Sequence, residues 1–292
     1  MPSTSVGAPR DLAVSGHVNV DRFLHVVRFP AADRTVPVTG TRTELGGTAA
    51  NLARVAAARG VRVGIAARIG DDFPSEFHRL LSSAGVDLRE LRRVAGRLTP
   101  TCFTLEDRSG EQRTLIDQGP MGDGPGPRPT RAWLRRYAWL HLGTGPPTLQ
   151  LELAGTARAL GLRVAADPAQ EIFYRWRPAE FRSLLHSAEI LFGNTAEIDR
   201  AIDLAGVASP RALLERVPLI VRTEGGRGAT AFTRVGPEHV PATRPRRVRS
   251  IVGAGDAFRG GFYGAFFRGA PLRRCLVDGG RAASAWIEGK RP

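Results

Sequence analysis

The chain has 292 residues, of which 42% are hydrophobic and 24% charged, a composition that argues against wholesale disorder. It contains no uninterrupted apolar run of about 18 residues, so we expect no membrane span and no membrane partner. The first residues lack a basic segment followed by an apolar one, so no secretory signal is predicted and we expect a cytoplasmic protein.

The formal net charge of +14 raises the question of a nucleic-acid partner, because clustered basic residues bind phosphates. The 42 basic residues are spread along the chain and all but Lys290 are arginine, which indicates a compositional bias and no nucleic-acid partner. The lack of other lysines also excludes a Walker A loop, a protein-kinase fold and a Schiff-base enzyme. The two cysteines and six scattered histidines predict neither a disulfide framework nor a zinc site.

Along the chain, short apolar runs alternate with stretches of helical period. The apolar runs are LAVSGHV, VRVGIAARIG, WLHLGTG, LRVAADP, AEILFGN and PLIVRTEGG, and the helical stretches include ANLARVAAARG and LQLELAGTARALG. Buried strands that alternate with helices are typical of a parallel sheet covered on both faces. The pattern therefore predicts an α/β fold.

Two regions interrupt this alternation. Residues 22–45 and about 97–118 alternate apolar and polar residues around turns, which predicts antiparallel strands. Together these strands could form a small second sheet. Residues 119–130 are rich in proline and glycine and are predicted to form a loop.

Polar or glycine residues follow directly after the predicted strands. In an open parallel sheet, ligands bind at the carboxyl ends of the strands. A ligand site is therefore predicted along one edge of the sheet. The residues that follow the strands are Asn19 and Asp21, Gly143 and Gly145, Asp167 and Gln170, Asn194 and Glu197, and Thr223 and Gly225.

The segment SIVGAGDAF, residues 250–258, combines small residues with a carboxylate at a predicted helix start. Gly253, Ala254 and Gly255 leave room for the backbone to close on an anion, which the free N–H groups of the helix would bind. Asp256 could accept a proton from a hydroxyl group while those amides hold a phosphoryl group. A glycine-rich turn with Asp256 as a helix cap fits the same residues.

A second glycine-led helix start lies at residues 46–53, GGTAANLA. Gly46 and Gly47 precede the helix, and Asn51 in its first turns could hydrogen-bond a ligand hydroxyl group. The carboxylate of Asp21 could accept two hydrogen bonds from a vicinal diol. An ordinary helix entry and a surface carboxylate are the plainer interpretations of these residues.

Two further motifs follow later strands. Asn194 and Glu197 share one face of a predicted helix start and could hold hydrated Mg²⁺ beside phosphates, but they would also suit a helix cap. Residues 223–228, TEGGRG, could cradle a nucleotide or form a hairpin turn.

The order of these motifs resembles that of the PfkB carbohydrate and nucleoside kinases, from about residue 11 to residue 289. GGTAANLA and GAGDAFRGGF are similar to the two signatures of that family. The resemblance implies Asp256 as catalytic base, with Gly253, Ala254 and Gly255 as the anion hole. It implies substrate contacts from Asn19, Asp21, Gly46, Gly47, Asn51 and Gln170. It also implies ATP contacts from Asn194, Thr223, Gly225 and Gly228, with Mg²⁺ held through water by Asn194 and Glu197.

The implied fold is a three-layer α/β/α core, residues 1–21, 46–96 and 119–292, with a β lid, residues 22–45 and 97–118. The lid would also form a homodimer interface. Short matches, including Phe29-Pro30 and Asp167-Pro-x-Gln170, resemble the archaeal-type broad-specificity nucleoside kinases. One departure is Ser250-Ile251, where the family usually has the Asp-Thr associated with a monovalent cation, so we expect little dependence on K⁺.

The function expected from this resemblance is ATP-dependent and Mg²⁺-dependent phosphorylation of the 5′-hydroxyl group of a nucleoside. A sugar kinase of the same family is the nearest alternative, because Asp21 would suit a free sugar too. A non-catalytic nucleotide-binding protein is an alternative of another class.

Overall fold

The computed structural model describes residues 10–122, 124 and 126–292. Its strands are β1 (Arg10–Ser15), β2 (Asn19–Val26), β3 (Val38–Gly46), β4 (Val63–Ile69), β5 (Asp87–Arg93), β6 (Thr101–Glu106), β7 (Gln112–Asp117), β8 (Tyr137–Leu142), β9 (Arg163–Ala166), β10 (Ile190–Asn194), β11 (Leu219–Thr223), β12 (Ala229–Thr233) and β13 (Gly236–Val240). Its α-helices are α1 (Thr48–Ala57), α2 (Ser75–Ser83), α3 (Arg131–Leu134), α4 (Pro147–Ala159), α5 (Pro178–Leu185), α6 (Thr195–Ala205), α7 (Pro210–Leu213), α8 (Ala254–Phe266) and α9 (Leu272–Ile287).

Within the described residues, nine strands form one sheet in the order β13-β12-β11-β10-β9-β8-β1-β4-β5. The strands from β11 to β5 are parallel, and the hairpin β12–β13 extends the sheet in antiparallel fashion. The six apolar runs form β1, β4, β8, β9, β10 and β11, as their apolar composition predicted. The sequence pattern missed β5, DLRELRR, because an edge strand is only partly buried and carries charged residues.

Helices cover both faces of this sheet. One apolar cluster joins the sheet to α1, α2, α8 and α9, and a second joins the opposite face to α3, α4, α5, α6 and α7. Successive residues of a central strand alternate between the two clusters: Leu12 and Val14 pack in the first and Ala13 in the second. The predicted three-layer α/β/α core is therefore confirmed. No helix in the described part of the chain is both long and apolar enough to cross a membrane.

The second sheet, which we call the lid, has the order β3-β2-β6-β7. It consists of two antiparallel hairpins, β2–β3 and β6–β7, but β2 and β6 pair in parallel, which the sequence pattern did not predict. The strands also run past the predicted lid segment 22–45, because β2 begins at Asn19 and β3 ends at Gly46. Asn19, Asp21 and Gly46 therefore lie on lid strands, where the core meets the lid.

A close contact between α1 and α8 sets the geometry of the core beneath the lid. A Cβ atom on Gly260 of α8 would lie 2.7 Å from Cβ of Val55 and 2.8 Å from the carbonyl oxygen of Leu52 on α1. Only a glycine at this position lets the two helices approach so closely. Their amino-terminal turns are thereby brought side by side.

Candidate active site

The site lies where the carboxyl ends of the parallel strands meet the lid. The chain passes from β1 into the lid strand β2 through His17 and Asn19, and β3 returns from the lid into α1. Strands β10 and β11 end at Asn194 and Thr223, and α8 begins at Ala254. The topology therefore brings predicted residues from distant segments to the same edge of the sheet.

Asp21 is held against the glycine pair at the end of β3. A Cβ atom on Gly46 would lie 1.9 Å from Oδ2 of Asp21, so any side chain at position 46 would displace the carboxylate. Gly47 has φ +95°, and a Cβ atom there would lie 2.4 Å from the carbonyl oxygen of His17. Gly46 is therefore required by the close approach of Asp21, and Gly47 by its backbone conformation and the close approach of His17.

Asp256 and Asn51 meet across 205 residues of sequence. Nδ2 of Asn51 donates a hydrogen bond of 3.0 Å to Oδ2 of Asp256. Gly253, the N-cap of α8, adopts φ +79°, and a Cβ atom on it would lie 2.8 Å from Nδ2 of Asn51. The amino terminus of α8 therefore faces the same space as the Asp256 carboxylate. The N–H of Ala254, one of the three predicted anion-hole residues, is not free there, because it donates to the carbonyl oxygen of Ile251 at 3.1 Å.

Three buried oxygen atoms in this region have no hydrogen-bond donor among the described residues. They are Oδ1 of Asn19, Oδ1 of Asp21 and Oδ1 of Asn51. The amide groups of the two asparagines are engaged elsewhere, since Asn19 donates to Sγ of Cys102 and Asn51 to Asp256. A buried acceptor without a partner is costly, so these three atoms are suited to the hydroxyl groups of a bound ligand.

Desolvation shifts the pKa values of Asp256 and Asp21 in the same direction. Desolvation raises the pKa of Asp256 to about 7, although the hydrogen bond from Asn51 and the charge of Arg259 oppose the shift. Desolvation also raises the pKa of Asp21 to about 7, with Glu44 adding to the shift and Arg291 opposing it. Carboxyl groups with pKa values near neutrality can accept a proton and release it again, which is typical of catalytic sites.

Asn194 and Glu197 form a helix cap, which was the alternative interpretation of this motif. Oδ1 of Asn194 accepts from the backbone N–H of Glu197 at 2.9 Å, and Oε2 of Glu197 accepts from that of Asn194 at 2.7 Å. Asn194 is exposed, and no hydrogen bond reaches Oε1 of Glu197 from the described residues. No group of three His, Cys, Asp or Glu side chains in the described ranges could hold a metal ion.

The segment 223–228 forms a hairpin turn between β11 and β12, again the alternative interpretation. Gly225–Arg227 form one 3₁₀ turn, and Gly228 has φ +110°. A Cβ atom on Gly228 would lie 2.0 Å from the carbonyl oxygen of Val240, so the turn packs tightly against the end of β13. The role of Thr223, Gly225 and Gly228 in ATP binding stays a prediction.

The remaining predictions concern the substrate residue Gln170 and the pair Ser250-Ile251, where a monovalent-cation site was not expected. Gln170 is exposed and forms no hydrogen bond with the described residues, whereas its neighbour Glu171 is buried. The hydroxyl group of Ser250 accepts a hydrogen bond of 3.3 Å from the backbone of Val252, and Ile251 is exposed. Neither residue 250 nor residue 251 offers a carboxylate for a monovalent cation.

A buried ionic network beneath the start of α8 was not predicted. Nε and Nη2 of Arg259 donate to the two carboxylate oxygens of Asp167 at 2.5 and 2.9 Å, and Nη2 lies 4.0 Å from Oε2 of Glu197. Nε2 of His141 lies 3.4 Å from Asp167. The sequence offered one sign of this network, because Arg259 lies one helical turn after Asp256 on a helix whose other residues are mainly small or apolar. The partners of Arg259 lie far away in sequence, so the sequence pattern could not identify them.

A second unpredicted network links the lid to the core beside the substrate residues. Nε2 of His17 lies 2.5 Å from Oε1 of Gln118, whose amide donates to Glu171 at 3.2 Å. Glu171 also accepts from the backbone N–H of Gly145 at 2.5 Å. Gln118 borders a cavity of about 550 Å³, which is lined by Gln118, Gly122, Pro147, Tyr174, Arg175, Trp176 and Arg177.

The fold and the site together define a class of enzyme. A carboxyl group at the start of a glycine-led helix, next to buried acceptors for hydroxyl groups, suits transfer of a phosphoryl group to an alcohol. The comparisons with known proteins agree, and the enzyme is a phosphotransferase with an alcohol group as acceptor. The chain belongs to the pfkB family of carbohydrate kinases, whose family model matches residues 9–291.

Individual relatives match over nearly the whole chain. A nucleoside kinase of Methanothermobacter thermautotrophicus is 32% identical over 278 residues, covering 94% of this chain and 87% of the relative. An ATP-dependent ribose-1-phosphate kinase of Halopiger xanaduensis is 30% identical over 281 residues, covering 95% and 92%. The crystal structure of Methanocaldococcus jannaschii nucleoside kinase has the same fold, with a TM-score of 0.87, 24% identity and coverage of 98% and 96%. Membership of a kinase family implies ATP as co-substrate and argues against a non-catalytic nucleotide-binding protein.

Proposed function

We propose that the protein transfers the γ-phosphoryl group of ATP to the 5′-hydroxyl group of a nucleoside. The observation that carries the proposal is the set of three buried acceptors without donors, Oδ1 of Asn19, Asp21 and Asn51, beside the carboxylate of Asp256. A ribose ring offers several hydroxyl donors within a few ångströms of one another, which suits this arrangement. The nucleoside kinase relative described above supports the same acceptor.

In the proposed reaction, Asp256 acts as general base. Its carboxylate accepts the proton of the 5′-hydroxyl group while the oxygen of that group forms a bond to the γ-phosphorus atom. The bond from that phosphorus to the β,γ-bridging oxygen breaks, and ADP leaves with the electron pair. The N–H groups of Gly253 and Gly255 would stabilise the charge on the transferred phosphoryl group, and Asn51 holds Asp256 in place.

Mg²⁺ is proposed to lie between the donor phosphates and the start of α6. Mg²⁺ usually keeps several water molecules and is bound by one or two oxygen ligands together with phosphates. Asn194 and the free Oε1 of Glu197 fit this mode, because the second carboxylate oxygen of Glu197 is held by the helix cap. Bound there, the ion would neutralise charge on the β- and γ-phosphates.

The cavity beside Gln118 favours a nucleoside over a free sugar. Gln118 contacts His17, whose backbone packs on Gly47, so the cavity of about 550 Å³ adjoins the substrate residues. Trp176 lines it, and its buried Nε1–H has no acceptor among the described residues. A nucleobase could fill such a space and accept that hydrogen bond, whereas a free sugar would leave the space and the donor unused.

The test is a steady-state assay with ATP and Mg²⁺ against nucleosides, ribose, fructose and ribose 1-phosphate, with the product identified by phosphorus NMR. We expect the highest kcat/KM with a nucleoside and phosphorylation at the 5′ position. Asp256→Asn should lower turnover by roughly 10²–10⁴-fold, whereas Asp203→Asn, at an exposed position on α6, should not. A higher kcat/KM for a sugar than for every nucleoside would make the sugar-kinase alternative correct.

A further inference from the structure

The guanidinium group of Arg259 lies at the amino terminus of α8, next to the predicted anion hole. Side chains on a helix point back toward its amino terminus, so Arg259 reaches over Gly255, one turn earlier. A Cβ atom on Gly255 would lie 2.7 Å from Nη1 of Arg259. Gly255 therefore leaves the space that the guanidinium group occupies.

Two of the three nitrogen atoms of this group are already committed. Nε and Nη2 form a two-pronged pair with the carboxylate of Asp167, at 2.5 and 2.9 Å. Nη1, in contrast, donates to no other described residue, although the Arg259 side chain is only 5% exposed. A guanidinium nitrogen that has no acceptor among the described residues, on a largely buried side chain beside a helix start, is suited to a phosphate oxygen.

The pair with Asp167 fixes the direction in which the third nitrogen points. A guanidinium group is planar and rigid, so a two-pronged contact along one side orients the remaining N–H bonds. Asp167 is itself buried and held by His141 at 3.4 Å from its Oδ2. Arg259 is thus prearranged to donate without reorganisation, which is the condition under which a donor stabilises a transition state best.

We propose that Arg259 is a further catalytic residue, whose Nη1 donates a hydrogen bond to the phosphoryl group during its transfer at residues 253–255. This inference rests on the proposed function, because it assumes that a phosphoryl group is transferred at the start of α8. Asp167 is the residue that positions Arg259. The alternative is that the pair Arg259–Asp167 only stabilises the fold.

The experiment removes the guanidinium group without leaving its buried partner unpaired. Loss of one member of a buried ion pair is strongly destabilising, so the main variant is the double substitution Asp167→Asn/Arg259→Gln. The control is Arg163→Gln, which removes an exposed arginine paired with Glu189 at the opposite, amino-terminal end of β9. Thermal unfolding identifies conditions in which each variant is folded.

For the double variant we expect kcat to fall by about 10²–10³-fold, as for loss of one oxyanion donor, with little change in the KM of the acceptor. Binding of ADP with Mg²⁺ and aluminium fluoride, a mimic of the transferred group, should weaken much more than binding of ADP with Mg²⁺ alone. A kcat within about threefold of the wild-type value would overturn the proposal.

Arg259→Lys provides a second measurement if the double variant does not fold. Lysine keeps the charge that pairs with Asp167 but cannot contact Asp167 and a phosphoryl group with one planar fork. We expect a lower kcat at an unchanged melting temperature; a lower melting temperature with full kcat would overturn the proposal. The aluminium fluoride measurement needs no acceptor, so it tests Arg259 even if the acceptor is not a nucleoside, whereas the acceptor assay tests the proposed function.

Discussion

At the scale of single residues, the site depends on carboxyl groups whose pKa values are raised above their ordinary values. Asp256 is partly buried and receives one side-chain hydrogen bond, from Asn51, and desolvation raises its pKa to about 7. An ordinary surface carboxylate would be a weaker base toward a hydroxyl group. Desolvation therefore gives Asp256 the basicity that the proposed proton transfer needs.

A dependence of activity on pH follows from this pKa. The base form of Asp256 is the carboxylate, so kcat/KM should rise with pH through about 7 and level off above it. Asp21, with its pKa also raised to about 7, should add to the same acidic limb because its carboxylate accepts from the acceptor hydroxyl groups. The measurement is a pH–rate profile of the wild type and of Asp256→Asn. A flat wild-type profile between about pH 5 and pH 8 would contradict the role of Asp256 as base.

The same pKa predicts an effect on stability with a definite sign. The pKa of Asp256 is raised from 3.8 in the unfolded chain to about 7 in the folded protein, so folding favours the protonated form. Stability is therefore lost as pH rises from about 4 to about 7, by at most about 4 kcal/mol if the whole shift is realised.

Asp256→Asn should accordingly raise the free energy of unfolding at about pH 8, and raise it by less than half as much at about pH 5. Urea denaturation at the two pH values measures this difference, with Asp203→Asn as the exposed control. An equal effect of Asp256→Asn at both pH values would show that the gain does not come from ionisation.

Glu197 provides the residue-scale test of the metal site. Glu197→Gln keeps an oxygen that can accept from the backbone N–H of Asn194, so the helix cap and the fold should survive. The substitution removes the charge that would attract hydrated Mg²⁺, so half-maximal activity should need several times more Mg²⁺. Initial rates across a MgCl₂ series measure this requirement. An unchanged Mg²⁺ requirement would leave Asn194 and Glu197 as a helix cap only.

At the scale of elements, the contact of α1 with α8 holds the catalytic pair together. Asn51 lies on α1 and Asp256 on α8, and their hydrogen bond of 3.0 Å depends on the distance between the two helices. Gly260 permits that distance, since a Cβ atom there would lie 2.7 Å from Val55. A substitution of Gly260 is therefore predicted to change the activity, although Gly260 itself does not belong to the site.

Gly260→Ala should force α1 and α8 apart, lower stability by about 1–3 kcal/mol and lower kcat. Gly155→Ala, within α4, is the matched control: a Cβ atom there meets nothing within 4 Å. Alanine has the higher helix propensity, so the control should gain up to about 1 kcal/mol and keep its activity. Denaturation curves and initial rates for both variants check this prediction. Full activity in a folded Gly260→Ala variant would show that the helix contact does not control the catalytic pair.

At the scale of the whole molecule, the lid presents apolar residues to its surroundings. Leu115 and Ile116 on β7 are 66% and 40% exposed, and Val38 on β3 is 49% exposed. Strand β7 is also an edge strand of the lid, with one of its sides unpaired in the described structure. Exposed apolar side chains beside an open strand edge are suited to pairing with a second copy of the chain.

We therefore expect a homodimer formed through the lid. The double variant Leu115→Glu/Ile116→Lys should shift the protein toward a monomer, because it places charges in an apolar contact. Val235→Glu, in the fully exposed turn between β12 and β13, is the control and should not change the assembly. Light scattering coupled to size-exclusion chromatography measures the mass of each. A monomeric wild type, or a dimeric double variant, would refute an interface at the lid.

The amino-acid sequence by itself determined the local features of this protein. Runs of apolar residues specified six central strands, because a strand buried on both faces needs them. Gly46, Gly47 and Gly253 marked the turns at which the backbone adopts unusual angles or approaches another group, and such needs are local to the chain. The two signatures around Asn51 and Asp256 indicated the family, which the comparisons confirmed.

Only the tertiary structure decided how distant segments meet. The parallel pairing of β2 with β6 depends on the relative direction of two hairpins that are separate in sequence. Strand β5 forms because its backbone pairs with β4 at the edge of the large sheet. The pair Arg259–Asp167 joins residues 92 positions apart, so no local pattern specifies it. The physical reason is that burial and ionic partners are properties of packed elements, whereas glycine turns and apolar periods are properties of short segments.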